Sequence, residues 1–332
     1  MTRPSDMRAW RSSSPGLEEL ELARTTIPSF NADEALVRVE TAALNFSDLL
    51  MIDDRYQIRP PRPFTPGQEI SGAVVAAGAQ SGLAAGQRVA SKVLWGGFAE
   101  YVRVRGDMTI RVPDGMSSEA ACALPVVYTT AMVALTENTV IRPGETVLVL
   151  AAAGGVGLAA VEIARHLGAH VIAAAGGEEK CLLARQHGAH ESVDYRCVNW
   201  SEDIKRLTAG RGVDVILDPV GGAATKEALR MIAWDGRLLI VGFASGEIPQ
   251  IPANRLLLKR VSAIGVYWDH DRDAAMLASV SAKLATFLQD GAIRPHVETS
   301  FSFDRLPQAL KALAARQTTG KVAITLNNKD TA

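Results

Sequence analysis

The residues best suited to chemistry form a glycine-rich run in the middle of the chain. Thr146-Val147-Leu148-Val149-Leu150 is an apolar strand candidate and leads into Ala151-Ala152-Ala153-Gly154-Gly155-Val156-Gly157-Leu158-Ala159-Ala160. Gly155, Gly157 and Ala160 have the spacing G-x-G-x-x-A. That spacing supplies a tight turn, a backbone bare enough to meet a pyrophosphate, and a small residue where a helix crosses a strand. The start of the following helix adds free N–H groups and a dipole that favours phosphate. A glycine triplet alone is weak evidence. Set after a strand, before a helix and inside an alternating pattern, it predicts a dinucleotide site carried by Gly154, Gly155, Val156 and Gly157. About twenty residues on, an NAD-type site sets an acid against the ribose hydroxyls. Here the chain has Ala175, followed by Gly176 and Gly177. The missing acid leaves room for a 2′-phosphate, and Lys180 lies just beyond to pair with it. Glu178 and Glu179 read as first-turn acids favoured by the helix dipole.

Other chemistries find less support. His166/His170 and His187/His190 have helix-like spacing, but no carboxylate or cysteine completes a metal set, so they read as surface or interdomain residues. Cys122, Cys181 and Cys197 are too few for a disulfide framework or a four-cysteine zinc site, which points to a reducing compartment. None of Tyr56, Tyr101, Tyr128, Tyr195 or Tyr267 has a lysine four residues later, and no Gly-x-Ser-x-Gly is present. These absences argue against a short-chain dehydrogenase and a serine hydrolase.

The elements that must position the glycine turn follow from pattern. Residues 35–40 and 98–104 alternate with a period near two, and short apolar runs bounded by glycine cover 72–77 and 87–90. The first 113 residues therefore read as β-rich, with a strand near 7–11 after a polar tail that lacks a secretory-type apolar core. From residue 118 the texture changes. A helix is expected over 119–137, broken at Pro125. Strands at 146–150, 170–174, 213–217, 237–241 and 261–266 then alternate with helices at 156–167 and 180–187. Continuous apolar strands separated by helices indicate a parallel sheet covered on both faces. Helices at 273–289 and 306–315 and a strand at 321–326 complete the chain. The expected fold is α/β: a doubly wound Rossmann sheet plus a β-rich domain.

Length and charge set bounds. The 332 residues suit about two domains. Hydrophobic residues are 48% and charged residues 21%, enough apolar matter for a packed core. Lysine plus arginine number 35 and aspartate plus glutamate 36; a net charge of −1 argues against a nucleic-acid or anionic-membrane binder. The longest apolar stretch, 147–161, ends at Glu162 and falls short of the roughly 18 residues a span needs, so no membrane segment is expected.

At this point the chain resembles the medium-chain dehydrogenase/reductase superfamily, and within it the zinc-independent NADPH:quinone oxidoreductases. The resemblance covers nearly the whole chain. It rests on Asn45-Phe46-Ser47-Asp48, Pro66-Gly67-Gln68-Glu69, the glycine run, Asp218-Pro219-Val220-Gly221-Gly222 and Thr318-Thr319-Gly320-Lys321. It implies a GroES-like catalytic domain over 1–127 and 268–332, and a Rossmann NADPH-binding domain over 128–267. Zinc alcohol dehydrogenases of the superfamily carry Cys where Asn45 stands and Gly-His-Glu where Gly67-Gln68-Glu69 stands. Neutral amides bind zinc poorly, so no metal is expected. The resemblance further implies that Lys180, Tyr195 and Arg316 contact the 2′-phosphate of NADPH and that Thr130 lies near the nicotinamide amide. It places the backbones of Gly242-Phe243 and Val266-Tyr267 at the nicotinamide, Asn45 and Asp48 beside nicotinamide and ribose, and Tyr56 at the substrate mouth. Trp268 falls at a rim or in the pocket lining. Leu50 stands where some relatives have a second tyrosine.

The expected activity is hydride transfer from NADPH to a quinone, in a cytoplasmic homodimer paired through the edge strand at 261–266. The Asn45 amide and the Tyr56 phenol are the candidate donors to the acceptor oxygen. Two alternatives remain: an enal/enone or enoyl-thioester reductase, for which Arg55, Arg59 and Arg62 supply a candidate basic groove, and a non-catalytic NADPH-binding protein.

Overall fold

The structure is a computed structural model in which residues 5–326 are described. The chain forms two compact units, residues 1–126 with 295–332, and residues 127–294.

The first unit is built on a seven-stranded sheet. Its central strand, Glu34–Ala43, pairs antiparallel with Glu69–Ala77, Tyr101–Arg105 and Lys321–Thr325. Alternation along these strands puts Val37, Val39, Ile70, Val102 and Ile324 into one core around the fully buried Phe98. Lys321–Thr325 also pairs in parallel with Val297–Ser302, and helix Leu306–Ala314 makes the crossover. A hairpin of Asp6–Ser12 and Leu20–Thr26 packs alongside. It is tied down by the Trp10 indole N–H, which donates to the Phe303 carbonyl at 2.9 Å.

The second unit carries six strands in the spatial order Glu191–Asp194, His170–Ala175, Thr146–Leu150, Val213–Asp218, Ile232–Ile240, Ser262–Gly265. Every pairing is parallel. The order reverses between Thr146–Leu150 and Val213–Asp218, the topological switch point at which open α/β sheets bind ligands beyond the strand carboxyl ends. Thr146–Leu150 is buried throughout, which explains the unbroken apolar run that follows Thr146.

Three expectations change. The second unit runs on to Arg294 rather than ending at 267, because helix Ala274–Gln289 packs within it. Leu277, Val280 and Leu284 are buried, the Phe287 ring meets His166 at 4.2 Å, and Lys283 pairs with Glu137 at 2.6 Å. The helical stretch near Pro125 widens rather than stops. Ser118–Cys122 gives way to wider turns over Leu124–Tyr128 and Val133–Glu137, separated by Thr129–Met132. Proline has no N–H to continue the ladder, and the next N–H, that of Val126, turns to Glu69 Oε1 at 2.7 Å. Among the described residues, the helix long and apolar enough to cross a membrane is Ser118–Glu137, not 147–161. It is mostly buried within the protein, as in a core helix.

Candidate functional site

Each unit holds one cluster of site residues. In the second unit the glycine turn follows Thr146–Leu150 directly. Ala151 adopts a left-handed φ of 48°, and Ala152 N–H bonds to the Ala174 carbonyl at 3.0 Å, locking the turn to the neighbouring strand. Helix Gly155–His166 starts there, with Gly154 as its N-cap. Gly157 has to be glycine: a Cβ would stand 2.2 Å from the Ala151 carbonyl oxygen and 2.7 Å from Ala152 Cα. Ala160 is fully buried where the helix crosses the sheet. Gly154, Gly155 and Val156 remain partly exposed at the helix start, where the first N–H groups have no intrahelical acceptor. This arrangement fits a pyrophosphate.

The second strand, His170–Ala175, ends on buried Ala175, with no acid at that position. Gly176 and Gly177 turn the chain into helix Glu178–Gln186, with Glu178 and Glu179 exposed and Lys180 half-buried in the first turn. Tyr195 N–H bonds to the Ala175 carbonyl at 3.1 Å, and its ring lies over Gly176. Lys180 and Tyr195 are thus gathered at the end of this strand. The sequence reading missed Arg196, whose guanidinium packs against Gly177 and pairs with Asp194 at 2.8 Å. Arg316 belongs to the first unit, exposed, with a φ of 56° after helix Leu306–Ala314.

Gly242, Phe243 and Val266 all follow the carboxyl ends of sheet strands. Val266 N–H bonds to the Ile240 carbonyl at 2.8 Å, and Phe243, 38% exposed, leans on Gly221. Asp218 explains its motif: buried Oδ1 accepts the N–H groups of Val220 at 2.8 Å and Gly221 at 3.0 Å, and Oδ2 accepts the Thr225 hydroxyl. Thr130 is partly buried and accepts the Trp268 indole N–H at 3.1 Å. Trp268 is buried rather than at a rim, and once buried its N–H needs that partner. His187 is also largely buried. Its Nδ1 meets Glu162 Oε1 at 2.6 Å, while Glu162 Oε2 accepts the Tyr128 hydroxyl at 2.7 Å and Arg294 N–H at 3.0 Å.

In the first unit Asn45 and Asp48 open helix Phe46–Ile52 as a capping box. Asp48 Oδ2 accepts the Asn45 N–H at 2.8 Å. Asp48 is fully buried, and burial pushes its carboxyl up to about 7 against the opposing pull of the Asn45 N–H and the Lys321 charge. The Asn45 amide is held on both ends. Its Oδ1 accepts from Lys321 Nζ at 2.6 Å, and its Nδ2 donates to Glu69 Oε2 at 3.1 Å. Lys321 Nζ also bonds to the Leu44 carbonyl and to Glu69 Oε2, each at 2.8 Å. Sequence reasoning saw Lys321 and Glu69 only as parts of motifs, with no sign that they meet. Gln68 Oε1 accepts the Ser47 hydroxyl. Tyr56 lies half-buried in irregular chain after the helix. Of the three arginines nearby, Arg62 is a clamp, bonded to the Ile52 carbonyl and Asp54 at 2.8 Å each and to the Ser14 carbonyl at 2.9 Å, while Arg55 and Arg59 are exposed. Among the described residues, no group of three or more His, Cys, Asp or Glu is placed to hold a metal ion.

Comparison with known proteins matches the alcohol dehydrogenase GroES-like domain over residues 31–114 and the zinc-binding dehydrogenase domain over 155–283. Quinone oxidoreductase-like protein 2 of Rattus norvegicus is 40% identical over 297 residues, covering 88% of this chain and 85% of that protein. Among solved structures, Escherichia coli quinone oxidoreductase complexed with NADPH superposes with a TM-score of 0.87 at 25% identity, covering 96% of this chain and 99% of that one. CurK enoyl reductase superposes with a TM-score of 0.85 at 26% identity, covering 97% and 100%.

Proposed function

The chain belongs to the medium-chain dehydrogenase/reductase superfamily, in its quinone oxidoreductase family, and on that premise we propose that it is a zinc-independent reductase acting from NADPH on a quinone. The observation that carries the zinc-free reading is the state of the two amides at ligand positions. Asn45 Oδ1 already accepts from the Lys321 ammonium, and Gln68 Oε1 from Ser47. A buried ammonium 2.6 Å from the would-be ligand atom repels a dication as well as occupying the lone pair.

NADPH, when bound, supplies the hydride, and water supplies the proton that completes the reduced product. The chain's part is to bind, orient and shelter. Gly154, Gly155, Val156 and Gly157 receive the pyrophosphate at the helix start. Lys180 and Tyr195, at the end of strand His170–Ala175, bind the 2′-phosphate. Thr130, Gly242, Phe243 and Val266 hold the nicotinamide. Asp48 holds the helix that presents Asn45, and Tyr56 lines the acceptor side. Asp48, the one carboxyl in this set, is fully buried and bonded to the Asn45 N–H, so an electron-poor acceptor suits the site better than an alcohol that must lose a proton. The likeness to CurK enoyl reductase favours a second reading, reduction of a conjugated alkene by the same hydride.

The exposed strand Ser262–Gly265 closes the sheet on one side, and symmetric pairing of that strand supports a homodimer. With no disulfide among its three cysteines, the protein suits the cytoplasm. The test is a steady-state panel of quinones, enones, acyl thioesters and simple alcohols with both cofactors, alongside elemental analysis. Quinones with NADPH should be fastest. Fastest turnover of an alcohol with NADP+, or one tightly held zinc lost together with activity, overturns the reading.

A further inference from the structure

An acid is missing at Ala175, yet one stands next to it. The parallel register sets Asp194 of the neighbouring strand opposite Ala175. That carboxylate lies beside the Gly176–Gly177 turn, accepts the N–H of Gly177, and is held down to about 2, chiefly by Arg196. Left bare, it would repel a 2′-phosphate and welcome a ribose hydroxyl, the preference of an NAD site. It is not bare. Arg196 Nε reaches Asp194 Oδ1 and Oδ2 at 3.1 and 3.2 Å, Nη2 reaches Oδ2 at 2.8 Å, and the Arg196 N–H adds a bond to Oδ1 at 3.0 Å. The fork leaves Nη1 outside the pair. The guanidinium lies against the turn: a Cβ on Gly177 would stand 2.5 Å from Nη2 and 3.1 Å from Nη1, so the glycine makes room for it.

We propose that the Asp194–Arg196 pair decides cofactor choice. Arg196 cancels the carboxylate beside Ala175 and presents Nη1 to the 2′-phosphate, next to Lys180 and Tyr195. This rests on the NADPH reading above. Arginine suits the task because one planar fork can hold a carboxylate on one edge and a phosphate on the other.

The test measures binding by calorimetry on the full chain, with 2′,5′-ADP, 5′-ADP, NADPH and NADH as probes. In the wild type, 2′,5′-ADP should bind at least tenfold more tightly than 5′-ADP. Arg196→Ala should weaken 2′,5′-ADP and NADPH more than tenfold and leave 5′-ADP and NADH within about twofold. Adding Asp194→Asn to Arg196→Ala should recover part of that loss, since the unmasked charge is gone. If Arg196→Ala weakens all four probes equally, or leaves 2′,5′-ADP unchanged, the pair only braces the turn and the proposal falls. Equal wild-type affinity for 2′,5′-ADP and 5′-ADP is a different failure, because it removes the NADPH reading first and this inference with it.

Discussion

At the residue scale the governing fact is that Lys321 and Glu69 hold the two ends of the Asn45 amide. The amide was a candidate donor to the acceptor oxygen, but both of its ends are held inside the protein. Lys321 and Glu69 are 4% and 0% exposed, so removing one partner strands a charge away from water. Lys321→Met should therefore destabilise the fold by about 3–5 kcal/mol, and Lys321→Met with Glu69→Gln should recover much of it, as read by urea denaturation. An unchanged midpoint in the single variant would show the pair to be unimportant. Asp48 makes a pH prediction. Its folded value of about 7 lies above the ordinary 3.8, so the native state holds a proton that the unfolded chain has lost. Stability attributable to this group must then fall as pH rises from about 4 to 7 and level off above that. Asp48→Asn should flatten the slope in that window while keeping an acceptor for the Asn45 N–H. A wild-type slope retained in the variant would assign it to other groups.

At the element scale the strand–turn–helix unit from Thr146 to His166 works only because its turn has no side chain at Gly157. A single methyl there meets the Ala151 carbonyl at 2.2 Å, and backbone on both sides leaves nothing soft to yield. Gly157→Ala should cost about 1–3 kcal/mol in the second unit and weaken NADPH binding more than tenfold, because the helix start is displaced from the pyrophosphate. Fluorescence titration of NADPH measures the second effect, and binding within twofold of wild type would contradict it. Much of this element was legible in the sequence, since strand periodicity, glycine spacing and a helix start are local signals. Pro125 was legible too, as a break. The outcome there depended on Glu69, remote in sequence, accepting the N–H of Val126.

At the scale of the whole molecule, the sheet of the second unit ends on Ser262–Gly265, and three of its four residues are exposed. Leu257, Leu258 and Tyr267 on either side are 78%, 68% and 68% exposed. An apolar, unpaired edge of this kind favours association. Sedimentation at micromolar concentration should give a dimer, and Ala263→Lys, which sets like charges against each other across a symmetric strand pair, should shift it to monomer. A wild-type monomer would leave the edge without this partner. The extent of the two units was only partly legible. The strand series located the second unit, but helix Ala274–Gln289 has an apolar pattern that would suit either unit, and only its packing on His166 and Glu137 assigns it.

The sequence by itself determined the order of the parallel strands' apolar segments, the glycine turn and the absence of an acid at Ala175, because each depends on residues a few positions apart. Tertiary structure alone decided what those positions meet. Lys321 reaches Asn45 across 276 residues, and Asp194 comes to lie opposite Ala175 through the strand register. Glu162 gathers Tyr128, His187 and the Arg294 N–H into one buried network. A hydrogen bond or ion pair is set by which donor arrives within about 3 Å, and chain entropy puts no local mark on partners that distant.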